Sequence, residues 1–174
     1  GAAMTWSSRP TTIIDPDQSY TATLQTTAGA ITVALDAANA PIATNNFICL
    51  ALAGYYTGTD FHRIFAGTLI QGGDPTGTGT GNPGYTVPSD RTTSSYPVGS
   101  VAMANAAPDR NGSQFFIAAT DLTGRIPNDY PVFGQVTSGM DVVLAISNSA
   151  VTSTPSGEQS KPIDPAVLSS VIIQ

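Results

Sequence analysis

Apolar and polar residues alternate along several short segments of the chain, and this period of two is typical of β-strands with one buried face. Residues 20–26 and 31–35 alternate in this way on either side of a turn at Ala28-Gly29, which predicts a β-hairpin. Further strands are predicted at residues 61–65, 69–71, 98–105, 114–118, 132–136 and 167–173. The chain is therefore expected to be mainly β.

Two other segments repeat their apolar residues at helical spacing. The first is expected to begin at Pro41 and to stop at Gly54, because proline suits the first turn of a helix and glycine suits its end. Its buried face is expected to carry Ala43, Phe47, Leu50 and Ala51. The second helix is expected to follow Ser138, which forms a predicted capping pair with Asp141 three residues later.

The chain of 174 residues is expected to form a single domain. Residues 1–18 are rich in Thr, Ser, Pro and Asp and are predicted to be a flexible lead-in, so the domain proper is residues 19–174. Within it, residues 72–95 and 152–162 are rich in Gly, Pro, Thr and Ser and show no clear period. Both segments are predicted to be loops.

The chain carries few charges: charged residues make up 10% of it, far below the usual ~25%. A surface built from Thr, Ser, Asn and Gln is more typical of proteins that work outside the cytoplasm. The first residues, Gly1 to Met4, resemble a cloning remnant, which leaves open that a targeting segment was removed upstream of them. The favoured location is extracytoplasmic (secreted, periplasmic, or lipid-anchored with the N-terminus removed), while a cytoplasmic location stays open.

The charge pattern and residue counts exclude several classes of partner. The net charge is −6, and the six Lys and Arg residues are spread singly, so the basic patch that nucleic acid requires is missing. An anionic membrane surface is disfavoured for the same reason. No apolar run reaches the ~18 residues of a transmembrane helix. With His62 as the only histidine and Cys49 as the only cysteine, a zinc site of the usual ligand types is excluded and no metal is expected.

Two motifs carry the chemistry of the chain: residues 61–74, which contain FHRI and then QGGD, and residues 103–116, which contain MANA and then NGSQFF. They set one cation, Arg63, among neutral hydrogen-bonding side chains and apolar strands. Two interpretations of Arg63 stay equally open: a partly buried arginine with a partner or ligand, or a strand arginine that points to solvent. No nucleophile–base pair accompanies it, which disfavours hydrolysis. Such a site can bind a peptide and ease rotation about an amide bond.

In the order and spacing of these motifs, together with Val132-Phe133-Gly134, the chain resembles the cyclophilins, the cyclosporin-type peptidyl-prolyl cis-trans isomerases. The resemblance extends over residues 19–174. It implies a closed eight-stranded antiparallel barrel capped by two α-helices, a peptide groove on one face and no cofactor. It also implies a monomeric isomerase with a chaperone role in protein folding, which accelerates X-Pro rotation in peptides and unfolded proteins.

The resemblance also assigns roles to individual residues. Arg63 corresponds to the catalytic arginine, Gln71 to the glutamine that positions it, and Asn105 to the residue whose backbone pairs with the bound peptide. The substrate-binding positions correspond to Thr68, Leu69, Ala104, Ala106, Gln114, Phe116, Ile126 and Tyr130.

Three positions depart from the usual pattern of the family. Thr68 stands where the family usually has phenylalanine, residues 118–131 lack a tryptophan that is often found there, and Tyr130 replaces a histidine. Leu122 or Ile126 is expected to fill the space of the tryptophan. Without this phenylalanine and tryptophan the groove lacks part of its aromatic wall, which predicts weakened cyclosporin binding. The missing wall also keeps a second function open, a proline-peptide-binding module or holdase with little turnover.

Overall fold

The hairpin predicted near the start of the chain forms in the computed structural model, which describes residues 4–90 and 95–174. Strand β1 spans Tyr20–Thr26, strand β2 spans Gly29–Leu35, and the two pair antiparallel. Gly29 has a φ of 132°, a value that glycine adopts readily because it has no Cβ. The alternating pattern and the hairpin are therefore confirmed, while the turn lies one residue earlier than predicted, at Thr27-Ala28, with Gly29 already paired to Thr26.

The described residues form nine further strands, most of them short. In chain order they are β3 (Thr59–Asp60), β4 (Arg63–Phe65), β5 (Leu69–Gly72), β6 (Ser100–Asn105), β7 (Asn111–Ala118), β8 (Val132–Ser138), β9 (Val151–Ser153), β10 (Gln159–Pro162) and β11 (Val167–Ile173). The loop predicted at residues 152–162 is wrong, because β9 and β10 pair there as a hairpin. Its residues are mostly polar, which hid the strand period from the sequence pattern. Residues 91–94 of the loop predicted at 72–95 lie outside the described residues.

Nine of the strands form one strongly curled antiparallel sheet, in the order β3, β11, β1, β2, β8, β6, β7, β5, β4. Its two edge strands, β3 and β4, follow each other in the chain and are separated by Phe61 and His62. Among the described residues no ladder joins these edges; an isolated bridge links Asp60 of β3 to Asp74, which follows β5. A closed barrel needs a continuous ladder between its first and last strands. The sheet is therefore open, and the prediction of a closed eight-stranded barrel is wrong.

Two helices pack against the sheet, α1 (Pro41–Leu52) and α2 (Met140–Ser147). The predicted apolar face of α1 is buried, and the ring of Phe47 lies 5.6 Å from that of Phe115 and 5.2 Å from that of Phe133. Burying a side chain of this size contributes about 1.5–3 kcal/mol. In the part of the chain that the structure describes, no helix has the length and apolar character to cross a membrane.

The start of each helix involves a contact that the local sequence does not show. Two backbone N–H groups in the first turn of α1 donate to the carboxylate of Asp90, each at 2.9 Å. Helix α2 is preceded by Gly139, which has a φ of 94° and makes no side-chain cap. The predicted capping pair of Ser138 and Asp141 is therefore wrong. A Cβ at Gly139 would lie 2.3 Å from the Ala30 carbonyl oxygen, so close strand packing sets this helix start.

The N-terminal segment lies along α1, and the side chain of Asn45 makes several of its hydrogen bonds. Oδ1 of Asn45 accepts hydrogen bonds from the backbone N–H groups of Ile13 (2.8 Å) and Ile14 (3.3 Å), and its Nδ2 donates to the Thr11 carbonyl (3.1 Å). Ile14 is buried in the main core. The flexibility of residues 1–18 stays a prediction. The contacts of Thr11, Ile13 and Ile14 argue against it for this part of the segment. The first three residues of that segment lie outside the described part of the chain.

Replacing Asn45 with alanine should lower the free energy of unfolding by about 1–3 kcal/mol, because the N-terminal segment loses its hydrogen-bond partner. Urea unfolding followed by the fluorescence of Trp6, the single tryptophan, measures this change. Asn128→Ala, at an exposed position, is the matched control and should stay within about 0.5 kcal/mol of the unsubstituted protein. An Asn45→Ala loss as small as that of the control would contradict the anchoring role.

Candidate active site

The register of four neighbouring strands places Arg63 in a row of side chains. Arg63 on β4 pairs with Gln71 on β5, Gln71 pairs with Phe116 on β7, and Phe116 pairs with Ala102 on β6. Directly opposed residues on antiparallel strands point to the same face of a sheet. The two motifs that were predicted to carry the chemistry therefore meet on one face, opposite the main core.

An apolar cluster, which we call the outer cluster, lies beside this row and is separate from the main core. Its buried members are Tyr96, Ala102, Phe116, Ala118 and Leu122, and its partly buried members are Leu69, Ala104, Ile126, Tyr130 and Val132. The Phe116 ring lies 5.6 Å from the Tyr130 ring at an interplanar angle of 89°, and 6.4 Å from the Tyr96 ring. Several predicted groove residues are thus in contact around one aromatic ring.

The guanidinium of Arg63 is held by protein groups on three sides. Its Nη1 donates to Oε1 of Gln71 (3.0 Å), while its Nε and Nη2 donate to the two carboxylate oxygens of Glu158 (2.9 and 3.1 Å). Its Cζ lies 4.8 Å from the ring centroid of Phe65, within the range of a cation–π contact. Of the two interpretations left open by the sequence, the partnered arginine is the observed one.

Glu158 is an anion throughout the ordinary pH range. Its pKa is lowered to about 2, chiefly by the hydrogen bond from Arg63 and then by one from the Ser160 hydroxyl. Both side chains of the ion pair are more than one third exposed, at 40% for Arg63 and 37% for Glu158. Solvent screening therefore limits what this pair contributes to stability, and about 0.2–1 kcal/mol is typical of such pairs.

Gln71 joins Arg63 to a second polar side chain and then to a loop. Its Nε2 donates to Oε1 of Gln114 (3.0 Å). Gln114 in turn donates through its Nε2 to the carbonyl oxygens of Gly79 (3.0 Å) and Gly81 (3.2 Å). The amide orientation of Gln71 is therefore fixed at both ends, which leaves its oxygen facing Arg63.

The loop that accepts these bonds is closed by the buried carboxylate of Asp74. It accepts from the backbone N–H groups of Thr76 (2.8 Å), Gly79 (2.7 Å) and Gly81 (3.1 Å), and from the Thr76 hydroxyl (2.7 Å). Burial alone would raise the pKa of Asp74, but these hydrogen bonds outweigh it and the pKa is lowered. A Cβ at Gly81 would lie 1.8 Å from Oδ1 of Asp74, so the loop requires glycine at this position.

Three further predicted site residues lie at the margins of the row. The side chain of Asn105 donates to Oδ1 of Asn111 and to the Asp129 carbonyl, both at 2.9 Å, so it ties neighbouring segments together. Ala106 is exposed beyond the end of β6, and Thr68 lies in the turn between β4 and β5. Neither Ala106 nor Thr68 belongs to the outer cluster.

His62 lies between the two edge strands and does not join the row. Among the described residues neither of its ring nitrogens has a hydrogen-bond partner, and burial lowers its pKa, so it is neutral at pH 7. Within residues 4–90 and 95–174 no group of three or more His, Cys, Asp or Glu side chains is placed to hold a metal ion.

A family model for the cyclophilin type peptidyl-prolyl cis-trans isomerases matches residues 21–172, nearly the whole of the sheet and both helices. The chain belongs to the cyclophilin family. The predicted family and the predicted isomerase activity are therefore confirmed. Among its relatives, a peptidyl-prolyl cis-trans isomerase of Helicobacter pylori is 42% identical over 134 residues, which cover 75% of this chain and 82% of the relative.

Other relatives cover more of this cyclophilin. A probable peptidyl-prolyl cis-trans isomerase A of Mycobacterium leprae is 38% identical over 178 aligned positions, with 90% of this chain and 93% of the relative covered. A Cryptosporidium parvum cyclophilin crystallised in the presence of the dipeptide Ala-Pro is 33% identical, with a TM-score of 0.77, and the match covers 90% of this chain and 99% of that one. The curled sheet with two helices is thus the cyclophilin fold.

The outer cluster of this cyclophilin contains both candidates for the space of the missing tryptophan. Leu122 is 1% exposed and Ile126 is partly buried, so Leu122 is the deeper of the two. The hydroxyl of Thr68 donates to the Ala66 carbonyl (3.1 Å) in its turn, so its polar atom is not directed at an apolar wall. On β4, Phe65 pairs with Leu69 and supplies an aromatic ring close to the turn.

Three residues of the site were not predicted from the sequence. Phe65 lies two residues after Arg63, so the strand period already places both on one face of β4 and would have found it. Tyr96 lies between the loop predicted at residues 72–95 and the strand predicted at 98–105, so no element was assigned to it. Glu158 falls in a predicted loop, and its one signal is that it is the only glutamate in the chain.

Asp74→Asn is expected to lower the free energy of unfolding by about 1.5–3 kcal/mol at pH 7, because hydrogen bonds to a charged carboxylate are lost. Folding lowers the pKa of Asp74 below its ordinary value of 3.8, so this contribution is present above that pH and is lost as the pH falls through the lowered folded pKa. Urea unfolding at pH 7 and pH 3 should show a smaller difference between the two proteins at pH 3. The exposed Asp164→Asn is the control, and an equal difference at both pH values would contradict the role of the carboxylate.

Proposed function

We propose that this cyclophilin binds the proline ring of a peptide against the outer cluster while Arg63 stabilises the twisted X-Pro bond. The observation that carries this proposal is the row in which the fixed guanidinium stands next to Gln71 and Phe116. Rotation about an amide breaks its resonance, with a barrier of ~18–20 kcal/mol. No proton transfer or covalent intermediate is needed for this rotation.

Arg63 supplies the electrostatic part of the proposed mechanism. A guanidinium has five N–H donors, and three of them are used by Gln71 and Glu158 within the described residues. One N–H on Nη1 and one on Nη2 remain for a ligand. In the twisted state the proline nitrogen gains a lone pair that can accept one of them, and the proline carbonyl can accept the other. A fixed donor of this kind is worth about 3–4 kcal/mol, or ~10²–10³ in rate.

The outer cluster supplies the apolar part. A twisted amide is less polar than a planar one, so an apolar wall favours the transition state over the ground state. We propose that Leu69, Phe116, Ile126 and Tyr130 form this wall, since all four belong to the outer cluster. Holding the ring while the preceding residue turns also removes orientational freedom from the step.

In this proposal the remaining predicted residues either position Arg63 or hold the peptide chain. Gln71 positions Arg63, and the backbone of Asn105 pairs with the peptide. Ala104 and Ala106 have small side chains that leave room beside β6, and Gln114 closes the groove near the Gly79–Gly81 loop. The support is that Gln71, Ala104, Asn105 and Gln114 lie on the strands that carry the row, and that Ala106 directly follows β6.

The proposed substrates are proline-containing peptides and unfolded proteins, which gives the protein a chaperone role in folding. The related cyclophilin crystallised in the presence of Ala-Pro supports a proline-containing ligand. Thr68 favours a second candidate, a binding module or holdase that grips proline segments with little turnover, because an aromatic wall is absent there. Peptide binding without any acceleration of isomerisation would decide for the second.

We further propose that the protein acts outside the cytoplasm as a monomer. The support for the location is compositional, because charged residues make up only 10% of the chain. Fractionation of the native cells tests the location, and gel filtration with light scattering tests the monomer.

Arg63→Ala should lower kcat/KM by at least about tenfold, towards the ~10²–10³ expected for loss of a fixed electrostatic donor. A protease-coupled or NMR exchange assay on a proline peptide measures the rate, and circular dichroism checks that the fold is intact. Arg9→Ala removes an exposed arginine from the N-terminal segment and should leave the rate unchanged. If Arg63→Ala retained full kcat/KM, the proposed mechanism would be wrong.

Thr68→Phe should tighten cyclosporin binding by about tenfold, which corresponds to about 1.4 kcal/mol. The reason is that an added ring restores an aromatic wall at the edge of the groove. Isothermal titration calorimetry of both proteins measures the change, with Thr57→Phe as a control at an exposed position. Equal and tight binding by the unsubstituted protein and Thr68→Phe would reject the predicted weakening.

A further inference from the structure

We propose that Glu158, next to the β9–β10 hairpin, is a positioning residue that orients the guanidinium of Arg63 for isomerisation. This inference rests on the proposed function of Arg63 and extends it to a residue far along the chain. It starts from the bidentate contact in which both carboxylate oxygens of Glu158 accept from Arg63, at 2.9 and 3.1 Å.

The contacts fix the plane of the guanidinium and not merely its location. Glu158 takes the edge formed by Nε and Nη2, and Gln71 takes Nη1 at 3.0 Å, so all three nitrogens of Arg63 are bound. A bidentate carboxylate adds geometric specificity to a planar arginine fork. The ring of Phe65, 4.8 Å from Cζ, contacts the face of the guanidinium. The directions of the two remaining donors, one on Nη1 and one on Nη2, are therefore fixed before a peptide binds.

Glu158 is itself held in place by its hairpin. Its backbone N–H donates to the hydroxyl of Thr154 (3.2 Å), and the Thr154 N–H donates to the Glu158 carbonyl (2.8 Å). The hydroxyl of Ser160, which is 1% exposed as a residue, donates to Oε1 of Glu158. Strand β10 packs against β4, the strand that carries Arg63. The carboxylate of Glu158 is therefore held in one position by its neighbours.

The weak contribution of an exposed ion pair to stability also favours a positioning role. Such pairs add little to the free energy of folding, yet this one has ideal fork geometry and a buried hydroxyl behind it. A carboxylate could instead draw the arginine away from the groove and inhibit the enzyme. Arg63 keeps its contact with Gln71 while it binds Glu158, so the guanidinium stays in the row. The observations therefore favour orientation over inhibition.

Glu158→Gln and Glu158→Ala test the inference, with Asp164→Asn as the control carboxylate. Glutamine keeps the size of the side chain but turns one N–H donor towards the N–H groups of Arg63, so the clamp is lost. We expect kcat to fall about tenfold with KM changed less than about twofold, because the guanidinium that Glu158 orients acts on the transition state. Asp164→Asn should leave both constants unchanged.

A spectroscopic measurement separates positioning from a general structural effect. The Nε–Hε resonance of Arg63 in a 15N-edited NMR spectrum should be protected from exchange with water in the unsubstituted protein. In Glu158→Gln its exchange rate should rise at least about tenfold, because the partner of Nε is removed. The same resonance should be unchanged in Asp164→Asn. A fall in kcat without a change at Nε would contradict the inference.

The double variant Arg63→Ala with Glu158→Ala tests whether Glu158 acts through Arg63. If Glu158 acts through Arg63, adding Glu158→Ala to Arg63→Ala should change kcat less than about twofold, since coupled residues are not additive. An unchanged or increased kcat in Glu158→Gln would overturn the inference alone, provided that Arg63→Ala is impaired. Equal kcat/KM for Arg63→Ala and the unsubstituted protein would overturn the proposed function and this inference together.

Discussion

The site depends on the immobilisation of one guanidinium at the edge of an apolar surface. Arg63 receives a carboxylate from Glu158, an amide oxygen from Gln71 and a ring face from Phe65. These partners come from three separate segments of the chain, and none of them alone defines the plane of the guanidinium. A donor that is already oriented does not have to reorganise when charge shifts in the substrate, and this is the main source of electrostatic catalysis.

The polar network behind Arg63 extends this constraint into the loop that follows β5. Gln71 is held by Gln114, Gln114 by the carbonyl groups of the loop, and the loop by the buried Asp74. The links between neutral groups contribute about 0.5–1.5 kcal/mol each, and those to the Asp74 carboxylate about 1.5–3 kcal/mol. Their combined effect is geometric: the oxygen of Gln71 is left with one orientation, towards Arg63.

The open, curled sheet explains why a polar row and an apolar cluster can lie side by side. Strands β4 and β5 stand at one edge, where a side chain such as Arg63 keeps contact with solvent. Strands β7 and β6 lie further from that edge, so Phe116 on the outer face can be buried under Tyr96 and Tyr130. The proposed groove therefore has a solvent-exposed, charged side at Arg63 and a buried, apolar side at Phe116. Thr68, in the β4–β5 turn, is the position where the sequence resemblance led us to expect an aromatic side chain.

The sequence by itself determined the features that depend on near neighbours in the chain. The alternation at residues 20–35, the buried face of α1 and the motifs around Arg63 and Phe116 were all visible, because strand and helix periods are local properties. The contacts that complete the site and the fold were decided by tertiary structure alone. Glu158 meets Arg63 from 95 residues away, and Asp90 completes α1 from 48 residues away, so no local pattern could indicate either. The open edge of the sheet was likewise hidden, since closure depends on whether distant strands form a continuous ladder.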